Sequence, residues 1–130
     1  MQTKLAAFIS ATPTGREAQA ILGRCVLCGF CTATCPTYQL LGNELDGPRG
    51  RIYLIKSMLE GTACSKSTLL HLDRCLTCRS CETTCPSGVE YGRLLEIGRQ
   101  VAEKTVPRSI GRRLSRRSLV WFLTGGLFPV

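Results

Sequence analysis

The chain is poor in aromatics, in acid and in histidine. Its 130 residues hold one tryptophan, three tyrosines, four phenylalanines and a single histidine. So few aromatics, with no recognised nucleic-acid motif, count against nucleic-acid binding, although 17 basic and 9 acidic residues give a formal charge of +8. No stretch alternates apolar and polar residues as a half-buried strand requires. No run approaches the length of a membrane-spanning helix. A Ser/His/Asp set, a carboxylate pair and a phosphate-cradling loop are all lacking, so the bond-making chemistry of a substrate is expected elsewhere. The apolar run nearest the N-terminus, Leu5–Ile9, is too short for the core of a secretion signal. A reducing, cytoplasmic setting is therefore expected, and the length suits one domain.

What the chain does have is cysteine. Nine is an odd number and suits a disulfide framework poorly. Eight of the nine fall in two runs, Cys25–Pro36 (CVLCGFCTATCP) and Cys75–Pro86 (CLTCRSCETTCP), each reading C-x2-C-x2-C-x3-C-P. This spacing resembles that of bacterial two-cluster ferredoxins, in which the fourth cysteine of each run serves the other cluster. Carried over, one 4Fe–4S cluster takes Cys25, Cys28, Cys31 and Cys85, and the second takes Cys75, Cys78, Cys81 and Cys35. If Cys31 to Cys35 is one helical turn, the rise between them is about 6 Å. The clusters would then lie on the order of 10 Å apart, close enough for rapid electron transfer. Structural zinc in two four-thiolate sites is the competing reading, but zinc usually takes well-separated C-x2-C pairs.

Cluster charge also reinterprets the basic balance. An oxidised cube with four thiolates nets about −2, so two lower the charge to about +4, and reduction of both lowers it to about +2. The excess is unevenly placed, because residues 93–117 alone carry a local net of +6.

Along the chain, residues 1–11 carry no clear signal. Helix signals begin at Thr12-Pro13, where Thr14-x-x-Glu17 matches a capping box and Ala18, Ile21 and Leu22 form a stripe leading to Cys25. Gly29 lets backbone approach a cluster closely. Pro36 opens a short helix over Thr37–Leu41. Asp46-Gly47-Pro48 reads as the centre of a turn. A helix over Arg49–Glu60, ended by Gly61, would bury Ile52, Ile55 and Leu59, widened by Leu54 and Met58. After a polar connector, a short helix from Thr68 to Arg74 turns Leu69, Leu72 and His71 inward. Ser87-x-x-Glu90 reads as a second capping box, for a helix running to Lys104 packed through Tyr91, Leu94, Leu95 and Val101.

Pro107 breaks the pattern. In the basic then apolar remainder, residues 107–130, Ile110, Leu114, Ser118 and Trp121 share one helical face, with Arg108, Arg112 and Arg116 on another. Two readings stand: a linker or truncated helix, or a surface that lies on a membrane or a partner.

Three other features invite a role. Cys64, without a partner at cluster spacing, reads as a small packed hydrophobe. His71 reads as a packed histidine, with proton shuttling near Cys75 as the sharper alternative. Arg49, Arg51, Arg74 and Arg79 either offset cluster charge or form a solvated face.

The segments CVLCGFCTATCPTYQLLGNELDGPRGRIYLIKSMLEG and HLDRCLTCRSCETTCPSGVEYGRLLEIGR, within residues 20–104, resemble the iron–sulfur subunits of bacterial glycolate oxidase. The resemblance implies a mostly α, helical ferredoxin-like domain over residues 1–106 that binds two 4Fe–4S clusters. It also implies partner subunits whose FAD oxidises glycolate to glyoxylate, while this chain relays single electrons towards a quinone-type acceptor. A cytoplasmic location follows, with peripheral contact at the inner face of the inner membrane as a further expectation. Similar modules serve lactate, glycerol-3-phosphate and heterodisulfide systems, which stay open as alternative clients. Subunits of this family continue into further cysteine-rich domains, to which nothing in residues 107–130 corresponds.

Overall fold

The computed structural model describes residues 1–107 and 110–124, without the side chains of 112 and 113. In chain order the helices are α1 (Ala7–Ser10), α2 (Pro13–Arg24), α3 (Phe30–Ala33), α4 (Pro36–Leu41), α5 (Pro48–Leu59), α6 (Lys66–Asp73), α7 (Ser80–Thr83), α8 (Tyr91–Thr105) and α9 (Ile110–Thr124). One 3-10 turn, Glu44–Asp46, joins α4 to α5. Among the described residues there is no strand, as the missing alternation implies.

The core lies where α2, α5, α6 and α8 meet. Leu22, Ile55, Leu59, Leu72 and Leu94 are wholly buried there. Each such side chain contributes about 1.5–3 kcal/mol relative to exposure. α8 crosses α5 closely because residue 98 is glycine: a Cβ there would stand 2.6 Å from Ile55 Cγ1. The N-terminal residues, unassigned from sequence, are tied to the end of α5 by Ala6 N–H donating to the Leu59 carbonyl at 2.8 Å.

Helix starts differ from the sequence expectations in an instructive way. α2 is capped by Thr12, not Thr14: the Thr12 hydroxyl accepts from Gly15 N–H at 3.0 Å, and Pro13, with no N–H to satisfy, fills the first helical position. Glu17, cast as the reciprocal cap, instead forms an ion pair with Arg93 of α8 at 2.8 Å. The Ser87–Glu90 capping box does not form either. Gly88 is left-handed (φ 60°), the helix begins at Tyr91, and the carboxylate of Glu82 accepts from the Gly92 N–H across the fold. α6 begins at Lys66, two residues ahead of the expected start, because Ser65 is the cap and accepts from Thr68 N–H. Leu54 and Val101 are only partly buried, so the stripes of α5 and α8 are narrower at those positions than expected.

The largest departure is at Asp46. Read as a turn, it is fully buried. Its carboxylate meets His71 Nδ1 at 2.9 Å and Arg74 Nη1 at 2.9 Å, with Arg51 Nη2 3.7 Å away. Burial alone would raise this carboxyl, yet the hydrogen bonds and charges of His71 and Arg74 hold it below the usual range. Arg51 is fully buried as well, which rules out the solvated-face reading for that residue.

α8 ends at Thr105, ahead of Pro107. Ile110, Leu114 and Trp121 of α9 are exposed, and Arg116 reaches Glu103 of α8 at 3.4 Å. The expected placing of Arg108 and Arg112 lies outside the described residues.

Candidate iron–sulfur site

The two cysteine runs fold into matching loops. Positive φ values recur at Leu27 and Gly29 in the first (57° and 87°) and at Thr77 and Arg79 in the second (55° and 59°). For Leu, Thr and Arg this left-handed geometry costs on the order of 1–2 kcal/mol each, and it is kept in both copies. Alternation of left- and right-handed residues turns successive N–H groups into an anion-binding concavity. A short helix then carries the third cysteine, α3 with Cys31 and α7 with Cys81. The fourth follows at the cap of α4 (Cys35) or after Thr84 (Cys85).

α3 and α7 lie side by side. Thr84 Oγ1 donates to the Ser80 carbonyl at 3.1 Å and lies 3.4 Å from Thr34 Oγ1, joining the end of one run to the other. This pairing carries each fourth cysteine over to the other loop. Cys25, Cys28, Cys31 and Cys85 line one hollow. Cys35, Cys75, Cys78 and Cys81 line a second. Pro48, Cys81 and Tyr91 border both, forming the wall between them.

The thiols sense this crowding. Burial pushes Cys31 up, with Cys25, Cys28 and Cys85 adding to it. Cys81 is pushed up to about 12, first by burial and then by Cys31 and Cys75. Sites where thiolates must gather before a cation arrives show this pattern, because metal displaces the protons. Among the described residues no three His, Cys, Asp or Glu side chains converge closely enough to hold a single metal ion. Tetrahedral zinc draws its sulfurs to about 2.3 Å from one point, whereas the thiols here surround hollows. One further observation fits an anionic group: the fully buried guanidinium of Arg51 lines the second hollow, with its Nη2 ion-paired to Asp46 at 3.7 Å and making no hydrogen bond.

The remaining candidates separate cleanly. Arg49 borders the first hollow but is half-exposed and paired with Glu44 at 2.6 Å. Arg74 is spent on Asp46. Arg79 lines the second hollow. His71 is buried against Asp46 and borders neither hollow. Cys64 packs on the edge of the core, outside both, and burial raises its thiol.

Sequence reasoning missed several supporting groups. Tyr91, expected only to pack, donates its hydroxyl to Cys75 Sγ at 3.5 Å. Ser80 bonds the Cys78 sulfur through backbone and side chain, which lowers that thiol. Arg99 donates to the carbonyls of Leu72 and Cys75 at 2.8 and 2.9 Å, closing the end of α6 and anchoring the second loop. Only Arg51 left a usable signal: it falls on the helical stripe of Ile55 and Met58, where a solvated arginine does not belong.

A helical domain with two thiol-lined hollows back to back is an iron–sulfur electron-transfer module. The family model for the 4Fe-4S dicluster domain matches residues 21–89, just over half the chain, and the chain belongs to that family, which carries two 4Fe–4S clusters. It is 60% identical over 119 residues to the glycolate oxidase iron-sulfur subunit of Escherichia coli (strain K12), covering 92% of this chain and 29% of that protein. It is 43% identical over 96 residues to the probable glycolate oxidase iron-sulfur subunit of Bacillus subtilis (strain 168), covering 72% of this chain and 22% of that one. The chain thus spans less than a third of the length of these curated relatives.

Proposed function

We propose that this chain is the electron-relaying part of a glycolate-oxidising complex, with Cys25, Cys28, Cys31 and Cys85 holding one cluster and Cys75, Cys78, Cys81 and Cys35 the other. The observation that supports the ligand division is the pair of hollows: Cys85 borders only the first, with Cys25, Cys28 and Cys31, and Cys35 only the second, with Cys75 and Cys78, while Cys81 lies on the wall between them. A 4Fe–4S cluster supplies one-electron steps at a potential set by its surroundings. The chain's own residues do the rest. Eight thiols give up their protons to become ligands. Pro48, Tyr91 and Cys81 hold the two sites against a common wall, and Arg99 fixes the loop that carries Cys75.

The partners follow from the relatives' names and the resemblance: subunits bearing FAD, which collects two electrons from glycolate and passes them on singly, and a quinone as the final acceptor. The module works in the cytoplasm. Its C-terminal segment, 107–130, touches the membrane surface, supported by exposed Leu119, Val120, Trp121, Phe122 and Leu123 beside basic Arg116 and Arg117. No helix among the described residues is long and apolar enough to cross a membrane.

Cys28→Ala and Cys78→Ala in the assembled complex provide the test. Glycolate should still reduce the flavin, while electron delivery to an added quinone collapses. Full quinone reduction by either variant would sink the proposal, and a co-purifying lactate or glycerol-3-phosphate dehydrogenase would replace the client.

A further inference from the structure

The two cysteine runs are repeats, but the structure equips their sites differently. Around the second set several side chains are donors, although the Glu82 carboxylate also acts on Cys81. Tyr91 O–H reaches Cys75 Sγ at 3.5 Å, and Ser80 bonds the Cys78 sulfur by N–H and hydroxyl. Thr37 Oγ1 stands 3.2 Å from Cys35 Sγ, but its one proton goes to the Asp46 carbonyl at 2.8 Å, so it is no donor to that sulfur. Arg51 borders the same hollow from full burial, its Nη2 ion-paired with Asp46 at 3.7 Å but making no hydrogen bond. Two arginines, Arg51 and Arg74, face one carboxylate, Asp46, leaving an excess positive charge.

The first set has a different lining. Leu27, Gly29 and Phe30 stand where the repeat has Thr77, Arg79 and Ser80. Its nearby arginine, Arg49, is neutralised by Glu44 at 2.6 Å, and both are half-exposed, so water and salt screen what remains. Among the described residues, the side-chain donors to motif sulfurs, Tyr91 and Ser80, fall on the second set.

Hydrogen bonds to sulfur and local positive charge stabilise the more negative, reduced state of a cluster and so raise its potential. We infer that the site formed by Cys75, Cys78, Cys81 and Cys35 has the higher potential of the two, with Arg51 and Tyr91 as the residues that set the difference. This rests on the ligand division proposed above. In the half-reduced protein the electron resides at the second site, so the first receives electrons and the second delivers them. The internal step moves one electron: the first site is oxidised as the second is reduced, with no bond or proton changing place.

The test is an EPR-monitored redox titration of the cluster-loaded full chain, with iron and sulfide counted beforehand. Two waves are expected. Tyr91→Phe, which removes one hydroxyl from the wall, should lower the upper wave about tenfold in its equilibrium constant, or about 59 mV for a one-electron couple, and leave the lower wave in place. Arg51→Met should lower the upper wave further, and Arg51→Lys should restore part of the loss. Phe30→Ser, at an exposed position, gives the first loop the hydroxyl of the second and should raise the lower wave. A Tyr91→Phe protein with about eight iron per chain whose lower wave moves, or whose waves shift together or stay put, overturns the ordering alone. A chain that binds no iron would overturn the ligand division beneath it, and the iron count separates the two failures.

Discussion

Asp46 and His71, twenty-five positions apart, meet at 2.9 Å in a place closed to solvent. The contact ties the 3-10 turn after the first cysteine run to the helix that leads into the second. Arg74 and Arg51 complete the arrangement, and Arg51 Nε donates to the His71 carbonyl at 2.7 Å. One carboxylate thus holds α6 in register against α5.

Asp46→Asn should therefore be strongly destabilising, by about 3–5 kcal/mol, because it leaves the fully buried Arg51 charge facing a neutral amide. Urea titration of the cluster-loaded protein followed by circular dichroism would measure it. A loss under about 1 kcal/mol would show that the network is a bystander.

The same carboxylate gives a pH dependence with a definite sign. Its folded-state pKa lies below the ordinary value of 3.8. Its stabilising contribution is thus complete above that value and disappears as pH falls through the lowered one. The stability gap between wild type and Asp46→Asn should be constant near neutrality and narrow only in acid. A gap that closed around pH 6 would point to a different titrating group.

Gly50 sits where α5 passes the turn that precedes it. A methyl group there would overlap the Glu44 carbonyl and lie 2.8 Å from Leu45 Cα. Backbone has nowhere to go, so Gly50→Ala should cost about 3 kcal/mol, although alanine is the better helix former. Thermal melts of the two proteins would decide; an unchanged or raised midpoint would mean the turn can move.

Cys64 is the control for the eight. It lies outside both hollows at the edge of the core. Cys64→Ser should leave iron and sulfide content unchanged and alter stability by only about 0.5 kcal/mol. Loss of half the iron would make it a ligand after all.

How much of this was legible beforehand depended on whether the information is local. The helical periodicity of α5 and α8 and the proline at the start of α4 act within a few residues, and each has its expected counterpart in the fold. Capping was less legible. Thr14 and Ser87 matched the pattern, yet Thr12 and Glu82 do the work, the latter from ten residues away. A cap needs only an acceptor at the right place, and the fold can bring one from elsewhere.

The sequence by itself determined the chemistry: eight cysteines in two C-x2-C-x2-C-x3-C-P runs within a mostly helical framework. Those follow from side-chain identity and spacing along one chain. Only the tertiary structure decided which charges are buried and what they face. Asp46 became the anchor of Arg51, His71 and Arg74, Arg51 a buried charge at the second hollow, and Tyr91 a wall shared by both. Burial changes the energetic weight of a charge severalfold by removing water, and no spacing rule reports which residues water will leave.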